Sequence, residues 1–174
     1  MKKILYMALC ASCLLSCSED IWIEDLTEME EDKIRGRYEL ASAVWEGEPI
    51  DLNDDGVATN DYLEEFGGNG SEYQSTFKEN ITIVIPYTWI HGYGEWRMVE
   101  KSTEYLHARY DVIIQDNKAV TKFEFPAEMH DFTLIQNGMV SFRKVMTVHK
   151  GSGTDITEWS APVLFTFTRF EYRR

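Results

Sequence analysis

The chain has 174 residues, of which 44% are hydrophobic and 13% aromatic, and its 30 acidic against 17 basic side chains give a formal net charge of −13. This hydrophobic share is typical of a folded domain and argues against intrinsic disorder, and the length suits one domain. The excess of negative charge repels phosphate backbones, which excludes nucleic acid as a partner.

The N-terminal segment has the pattern of an export signal. Two lysines follow Met1, an apolar run extends from Ile4 to Leu15, and Leu14-Leu15-Ser16-Cys17 resembles the lipobox of bacterial lipoproteins. The run is shorter than the ~20 apolar residues of a membrane-spanning helix. We therefore expect residues 1–16 to be a signal peptide and Cys17 to carry the lipid that anchors the mature chain in the outer membrane. No cysteine follows Cys17, so the remaining chain has no disulfide framework.

The next stretch, from Ser18 to Arg35, is strongly acidic. It contains eight acidic side chains against Lys33 and Arg35, with apolar residues interspersed among them. Such a charge run predicts a solvated tether with about one helical turn, and residues 17–35 are assigned as an acidic tether. Ser18-Glu19-Asp20 also resembles the export tag that follows the lipidated cysteine in surface lipoproteins of the Bacteroidetes, which implies display on the cell surface.

From Gly36 onward, apolar and polar residues alternate, as is typical of half-buried β-strands. Turn signals separate the runs, and Asn137-Gly138 is a strong hairpin signal. About seven to nine antiparallel strands fit into this region, which favours a sandwich or a closed up-and-down barrel. The predicted buried faces are those of Tyr38, Leu40 and Val44; Ile81, Ile83 and Ile85; Leu106, Ala108, Tyr110, Val112 and Ile114; and Val163, Phe165 and Phe167.

An acidic loop follows the first predicted strand and has the residue types of a calcium site. The candidate ligands are Asp51, Asn53, Asp55, the backbone carbonyl of Val57, and Asp61. Oxygen ligands at alternate positions with Gly56 at the sixth are what a calcium loop requires, although Tyr62 stands at the twelfth position instead of a glutamate. The alternative is structural, with Asx turns in the loop and Asp61 as the N-cap of a short helix over residues 62–66.

Aromatic residues are concentrated around the turn that follows Pro86, and another flanks the acidic loop. The candidate ligand-binding residues are Trp45, Tyr87, Trp89, Tyr93 and Trp96. If they are exposed at one rim of a barrel, they can stack on a glycan or cover a small apolar ligand in the barrel mouth. If they face inward, they fill the core.

Both ends of the domain resemble the Bacteroidetes lipocalin-like lipoproteins. The opening is similar in GRYELASAVW at residues 36–45, DLNDDG at 51–56 and DYLEEF at 61–66, and the final strand is similar in WSAPVLFTFTR at 159–169. The resemblance implies an all-β domain over residues 36–174: a small antiparallel up-and-down β-barrel, lipocalin-like, with one short helix after the first strand.

The sequence contains no Gly-x-Ser-x-Gly elbow, His-Glu-x-x-His helix or Gly-rich phosphate loop, and its four histidines lack the spacing of zinc ligands. We therefore expect a lipid-anchored outer-membrane protein that is not an enzyme and that binds a small apolar or glycan ligand. One alternative is a structural or partner-docking component of an envelope complex. Another is a hydrolase whose carboxylate pair forms only in the folded chain.

Overall fold

The computed structural model describes residues 23–78, 80–116, 118–135 and 138–170. Cys17, the other residues of the predicted signal and Ser18-Glu19-Asp20 lie outside the described residues, as does Asn137 of the predicted hairpin. None of the helices in the described ranges is both long enough and apolar enough to cross a membrane.

The secondary structure is mostly β. Its elements in chain order are α1 (Ile23–Ile34), β1 (Gly36–Trp45), α2 (Tyr62–Phe66), a short 3-10 helix (Gly70–Glu72), β2 (Gln74–Phe77), β3 (Asn80–His91), a second 3-10 helix (Gly94–Trp96), β4 (Met98–Gln115), β5 (Lys118–Glu124), β6 (Met129–Ile135), β7 (Met139–Ser152) and β8 (Asp155–Phe170). The short helix predicted after the first strand is α2.

In the part of the chain that the structure describes, eight antiparallel strands form one sheet that closes on itself, which confirms the predicted lipocalin-like up-and-down barrel. The strand order is β5-β4-β3-β2-β1-β8-β7-β6, and β4 also pairs with β7. This additional pairing places Met98 opposite Ser152. It closes a ring made of β1, β2, β3, β4, β7 and β8, while β5 and β6 extend the sheet beyond β4 and β7.

The core lies inside this ring, on the faces that the alternating sequence pattern predicted. Ile81, Ile83 and Ile85 are fully buried, as are Val163, Phe165 and Phe167, while Leu106, Ala108 and Tyr110 are at most 6% exposed. Val112 packs at the edge of the core. The largest fully buried side chains include Trp45, Tyr38, Tyr62, Phe77, Phe142, Phe165 and Phe167. The interior of the barrel is thus occupied by aromatic rings.

The predicted buried face of β1 is wrong at Val44 because the strand contains a β-bulge. Its register with β8 shifts between Leu40 and Ser42. An extra residue in one strand reverses the alternation of side chains beyond it. Ala43 and Trp45 are therefore buried, and Val44 is 41% exposed.

The helix α1 is longer than the single turn that the acidic composition predicted. It has 12 residues and contacts β4 and β5. Ile34 is fully buried, and its carbonyl accepts a hydrogen bond of 2.7 Å from the Tyr38 hydroxyl. Thr121 on β5 donates to Glu30 at 3.4 Å, whereas Met29 is 61% exposed. The acidic stretch therefore contributes an amphipathic helix that packs on the barrel.

Candidate functional site

The acidic loop between β1 and α2 is ordered by its own hydrogen bonds. Three side chains accept from a backbone N–H two or three residues further on: Asp51 from Asp54 at 2.8 Å, Asn53 from Asp55 at 3.0 Å and Asp55 from Val57 at 2.8 Å. Asp61 instead caps α2 by accepting from the backbone N–H of Glu64 at 3.0 Å. These contacts are the Asx turns and the N-cap of the structural alternative.

A lysine ammonium lies against the same loop. Lys150 on β7 has its Nζ 2.6 Å from the Asp51 carbonyl oxygen, 3.3 Å from Asp51 Oδ1 and 2.6 Å from Asp54 Oδ1. The hydrogen bond to Asp54 is the main cause that raises the pKa of Lys150. Burial alone would raise the pKa of Asp51, but hydrogen bonds from the Asp54 N–H and Lys150 outweigh it and lower that pKa.

Four of the five candidate calcium ligands, Asp51, Asn53, Asp55 and Asp61, accept hydrogen bonds from backbone N–H groups through their side chains. In the part of the chain that the structure describes, no group of three or more His, Cys, Asp or Glu side chains is arranged to hold a metal ion. Side-chain oxygens of Asp51, Asn53 and Asp55 face backbone N–H groups, and oxygens of Asp51 and Asp54 face the Lys150 ammonium.

Glu65, like Lys150, contacts this loop, and the sequence did not predict this role. It is fully buried, and its Oε2 accepts from the backbone N–H of Leu52 at 2.7 Å and of Asn53 at 3.4 Å. Lys101 on β4 donates to the Glu65 and Phe66 carbonyls at 3.1 and 2.9 Å, at the end of α2. A buried carboxylate and a lysine thus join the loop and α2 to the barrel. The spacing along the chain carries no signal for either contact.

The structure divides the five candidate ligand-binding aromatics into two groups. Trp45 belongs to the core: it is 2% exposed, its Nε1 donates to the Glu48 carbonyl at 2.9 Å, and its ring stacks on that of Tyr62 at 6.1 Å. Tyr87 is half-buried and packs against the core. Trp89, Tyr93 and Trp96 are 42%, 90% and 85% exposed.

We define the aromatic tip as Trp89, Tyr93, Trp96 and Met98, at the turn between β3 and β4. Gly92 shapes this turn with a φ of +92°, and a Cβ there would come within 2.2 Å of the Trp96 carbonyl oxygen. The backbone N–H of Trp96 donates to the Tyr93 carbonyl at 3.0 Å. The two most exposed rings therefore stand on a tight, hydrogen-bonded turn.

The turn between β7 and β8 supports the tip from the side. The Gly153 N–H donates to the Arg97 carbonyl at 2.8 Å, and Arg97 Nε donates back to the Gly153 carbonyl at 3.2 Å. Met98 and Ser152 pair directly beside these bonds. Two hairpins are thus joined at the place where the barrel ring closes, which restrains the backbone under the exposed rings.

Polar groups surround the rings of the tip. The ring of His91 lies 5.1 Å from that of Trp89, and its Nε2 is 3.3 Å from Glu100 Oε1. Glu95, between the two exposed rings in the chain, is itself exposed. Aromatic faces beside carboxylates and an imidazole can stack on a flat apolar surface and accept or donate hydrogen bonds at its rim.

The barrel interior is the other place where such a fold can hold a ligand. In this chain aromatic side chains occupy it: the ring of Phe142 stacks on those of Phe165 at 5.3 Å and Phe167 at 6.0 Å, and Tyr62 meets Phe165 edge-on at 6.3 Å. A ligand would have to displace these side chains, so the tip is the better candidate site. Comparison with protein-family models, with curated proteins and with solved structures found no match to this chain.

Proposed function

We propose that the protein is a lipid-anchored, non-catalytic binding module whose aromatic tip recognises a glycan at the cell surface. The observation that carries the proposal is the exposure of Trp89 near the end of β3 and of Tyr93 and Trp96 on the restrained turn that follows. Large apolar side chains grouped on a surface are a feature of binding sites, whereas isolated ones are ordinary.

Ring chemistry favours a glycan over a small apolar ligand. Trp and Tyr side chains combine a flat apolar face with a polar edge, which suits the C–H face and the hydroxyls of a sugar ring. The carboxylates of Glu95 and Glu100 can accept from such hydroxyls. A small apolar ligand instead needs a pocket that encloses most of its surface, and the interior that would provide one is filled by Phe142, Phe165 and Tyr62.

The position of α1 supports an orientation for the anchored protein. On β5, Thr121 contacts α1 and pairs with Val112 of β4, while the tip adjoins Met98 at the other end of β4. Val112 is fourteen residues beyond Met98, which corresponds to roughly 45 Å of extended strand. A lipid on Cys17, shortly before α1, would hold that end of the barrel at the membrane and direct the tip outward.

The lipobox and the resemblance to Bacteroidetes lipocalin-like lipoproteins support the outer membrane and the cell surface as the location of the module. Both rest on sequence motifs at Leu14 to Asp20 and at the two ends of the domain. We propose that the chain belongs to that family. A surface position would bring the tip into contact with glycans outside the cell.

Affinity electrophoresis of the purified protein in gels that contain soluble polysaccharides tests the proposal. We expect at least one polysaccharide to retard the wild type. The double variant Tyr93→Ala, Trp96→Ala should bind that polysaccharide more weakly by a factor of about ten or more, since anchoring aromatics dominate such contacts. Tyr105→Ala is the matched control because this tyrosine is 61% exposed on β4, away from the tip. A wild type that no polysaccharide retards, or an equal loss in the control, would contradict the proposal.

A partner-docking role in an envelope complex is the second candidate. Met98 is 55% exposed within the tip, and its flexible thioether adds apolar area that suits a protein partner. A photo-crosslinking residue at position 93 in living cells separates the two roles. A specific crosslinked protein that disappears in Trp96→Ala would favour docking, and polysaccharide retardation without such a product would favour the glycan.

A further inference from the structure

A cavity of about 490 Å³ opens on the side of the barrel where β3, β4 and β5 lie together. We call it the groove, and the residues that matter for its chemistry are Asn80, His107, Arg109, Glu124, Phe125 and Pro126. Its volume lies within the roughly 300 to 1,000 Å³ of small-molecule sites. Arg109 is eleven residues beyond Met98 on β4, about 35 Å of strand, so the groove is separate from the aromatic tip.

Arg109 is the cationic group of the groove and is available to bind an anion. Its Cα partners are Asn80 on β3 and Glu124 on β5, yet among the described residues its guanidinium makes no ion pair or hydrogen bond. By contrast, Arg143 contacts Glu46 at 2.9 Å. In a chain with a net charge of −13, an arginine that lines a cavity and has no described carboxylate bound to it is a ready site for a ligand's carboxylate.

His107 adds a second donor on the same side of β4. Residues two apart on a strand share a face, so His107 and Arg109 both border the groove. The Nδ1 of His107 is 3.5 Å from the Thr82 hydroxyl. When that hydroxyl donates to Nδ1, the Nε2–H of the ring remains a donor.

Part of the lining of the groove is apolar and held in place by packing. The ring of Phe125 stacks on Phe132 at 4.4 Å and lies 5.4 Å from Phe123. The Pro126 carbonyl accepts from the Met129 N–H at 2.9 Å, which restrains the turn between β5 and β6. An apolar group of a ligand would therefore meet a preformed surface, and such preorganisation lowers the cost of binding.

From these contacts we infer that the groove binds a small amphipathic acid. Its carboxylate pairs with Arg109 and hydrogen-bonds to His107, and its apolar body lies on Phe125 and Pro126. Glu124 accepts a hydrogen bond from a hydroxyl or amino group when the acid carries one. This second site is independent of glycan binding at the tip, so either can hold without the other.

Nuclear magnetic resonance titration of the purified ¹⁵N-labelled protein tests the inference with 3-phenylpropanoate as the probe and uncharged 3-phenylpropanamide as its matched analogue. We expect the acid to shift the backbone amides of His107, Arg109 and Phe125 in a saturable way, and the amide to bind at least tenfold more weakly. Arg109→Gln should weaken the acid about tenfold because it removes the charge-assisted pair.

Lys122→Gln is the control variant, since it removes the same charge from an exposed position on β5. It should leave binding of the acid unchanged, as should Trp96→Ala in the aromatic tip. Equal binding of acid and amide, shifts confined to the tip, or equal losses in Arg109→Gln and Lys122→Gln would overturn the inference. Because Arg109 is exposed, Arg109→Gln should fold like the wild type. The dispersion of the amide signals in its spectrum checks this.

Discussion

Lys150 provides the positive charge around which the acidic loop is arranged. Its ammonium contacts both the carbonyl and the carboxylate of Asp51 and the carboxylate of Asp54. Oxygen atoms arranged for a calcium ion can equally surround an ammonium group, because both ligands are cations. At the residue scale, the loop is therefore joined to β7 by a side chain of the protein itself.

We expect Lys150→Met to lower the melting temperature at neutral pH and the difference from wild type to shrink in acid. The folded-state pKa of Asp51 is lowered, so the pair contributes above the unfolded pKa of about 3.9 and is lost as the pH falls through the folded value. The pKa of Lys150 is raised, so loss at the alkaline end comes only above about pH 10.4. Thermal unfolding from pH 2 to 7 measures the effect, with Lys122→Met as the control.

Melting curves in chelator and in calcium distinguish a calcium site in the loop from a purely structural turn. Roughly 10 mM calcium is a generous concentration for extracellular sites. With Lys150 in place, we expect no response of the wild type. A stability that rises with calcium and a loss of that rise in Asp55→Ala would instead support the calcium site at Asp51, Asn53, Asp55, Val57 and Asp61.

At the scale of elements, α1 shows how an acidic segment becomes part of the fold. One face of the helix presents Ile34 to the core and Glu30 to Thr121, while Met29 points to solvent. Arg169 also donates to the Asp32 carbonyl at 2.9 Å, near the end of the helix. Glu28, Asp32 and Lys33 are exposed, so their charges stay solvated while the helix docks.

Substitutions on the two faces of α1 test this docking. Ile34→Ala should lower the free energy of unfolding by about 2 to 5 kcal/mol, since it leaves a cavity at a fully buried position. Met29→Ala, at an exposed position of the same helix, should change it by about 0.5 kcal/mol or less. Urea unfolding curves of both variants measure the difference. Equal values would mean that α1 does not pack on the barrel in solution.

At the scale of the whole molecule, the barrel is closed in two different ways. Backbone pairing between β4 and β7 closes the ring beside the tip. Among the described residues, β5 and β6 are the outer strands of the sheet order and do not pair with each other. The rings of Phe123 and Phe132, 4.5 Å apart, pack across this opening. Hydrogen bonds thus restrain the end that carries the tip, and side-chain packing closes the other.

The lipid anchor that we propose at Cys17 would add a membrane attachment to this domain. We expect Cys17→Ala to prevent lipid attachment and signal cleavage and to release the protein from the membrane fraction, because the thiol of Cys17 is the proposed lipid attachment site. Cys13→Ala, within the apolar run, is the matched control and should behave like wild type. Labelling with a fatty-acid analogue, followed by cell fractionation, measures both. A Cys17→Ala protein that still incorporates the label would disprove the anchor.

The surface position can be tested in the same cells. Replacement of Glu19 and Asp20 by alanine should leave the lipid in place and reduce cleavage by protease added to whole cells. Unchanged protease accessibility would show that these acids do not direct export to the surface.

The sequence by itself determined the local features of the domain. Alternation identified the buried faces of Ile81 to Ile85 and Val163 to Phe167 because side chains on a strand point to opposite sides at every step. Asp61 was predicted as the cap of α2 in one of two alternatives, and that contact could be predicted because its partner is the N–H of Glu64, three residues away. Closure of a barrel rather than a sandwich came from resemblance at the two ends of the chain.

Only the tertiary structure decided the features that depend on distant residues. The bulge in β1 depends on pairing with β8, and it turns Trp45 into the core and Val44 outward. Lys150 reaches Asp51 from 99 residues away, and Phe125 and Arg109 meet in one groove through the pairing of β4 with β5. Such contacts leave no periodic signal in the chain, because cross-strand register and the packing of unlike neighbours exist only once the sheet has closed.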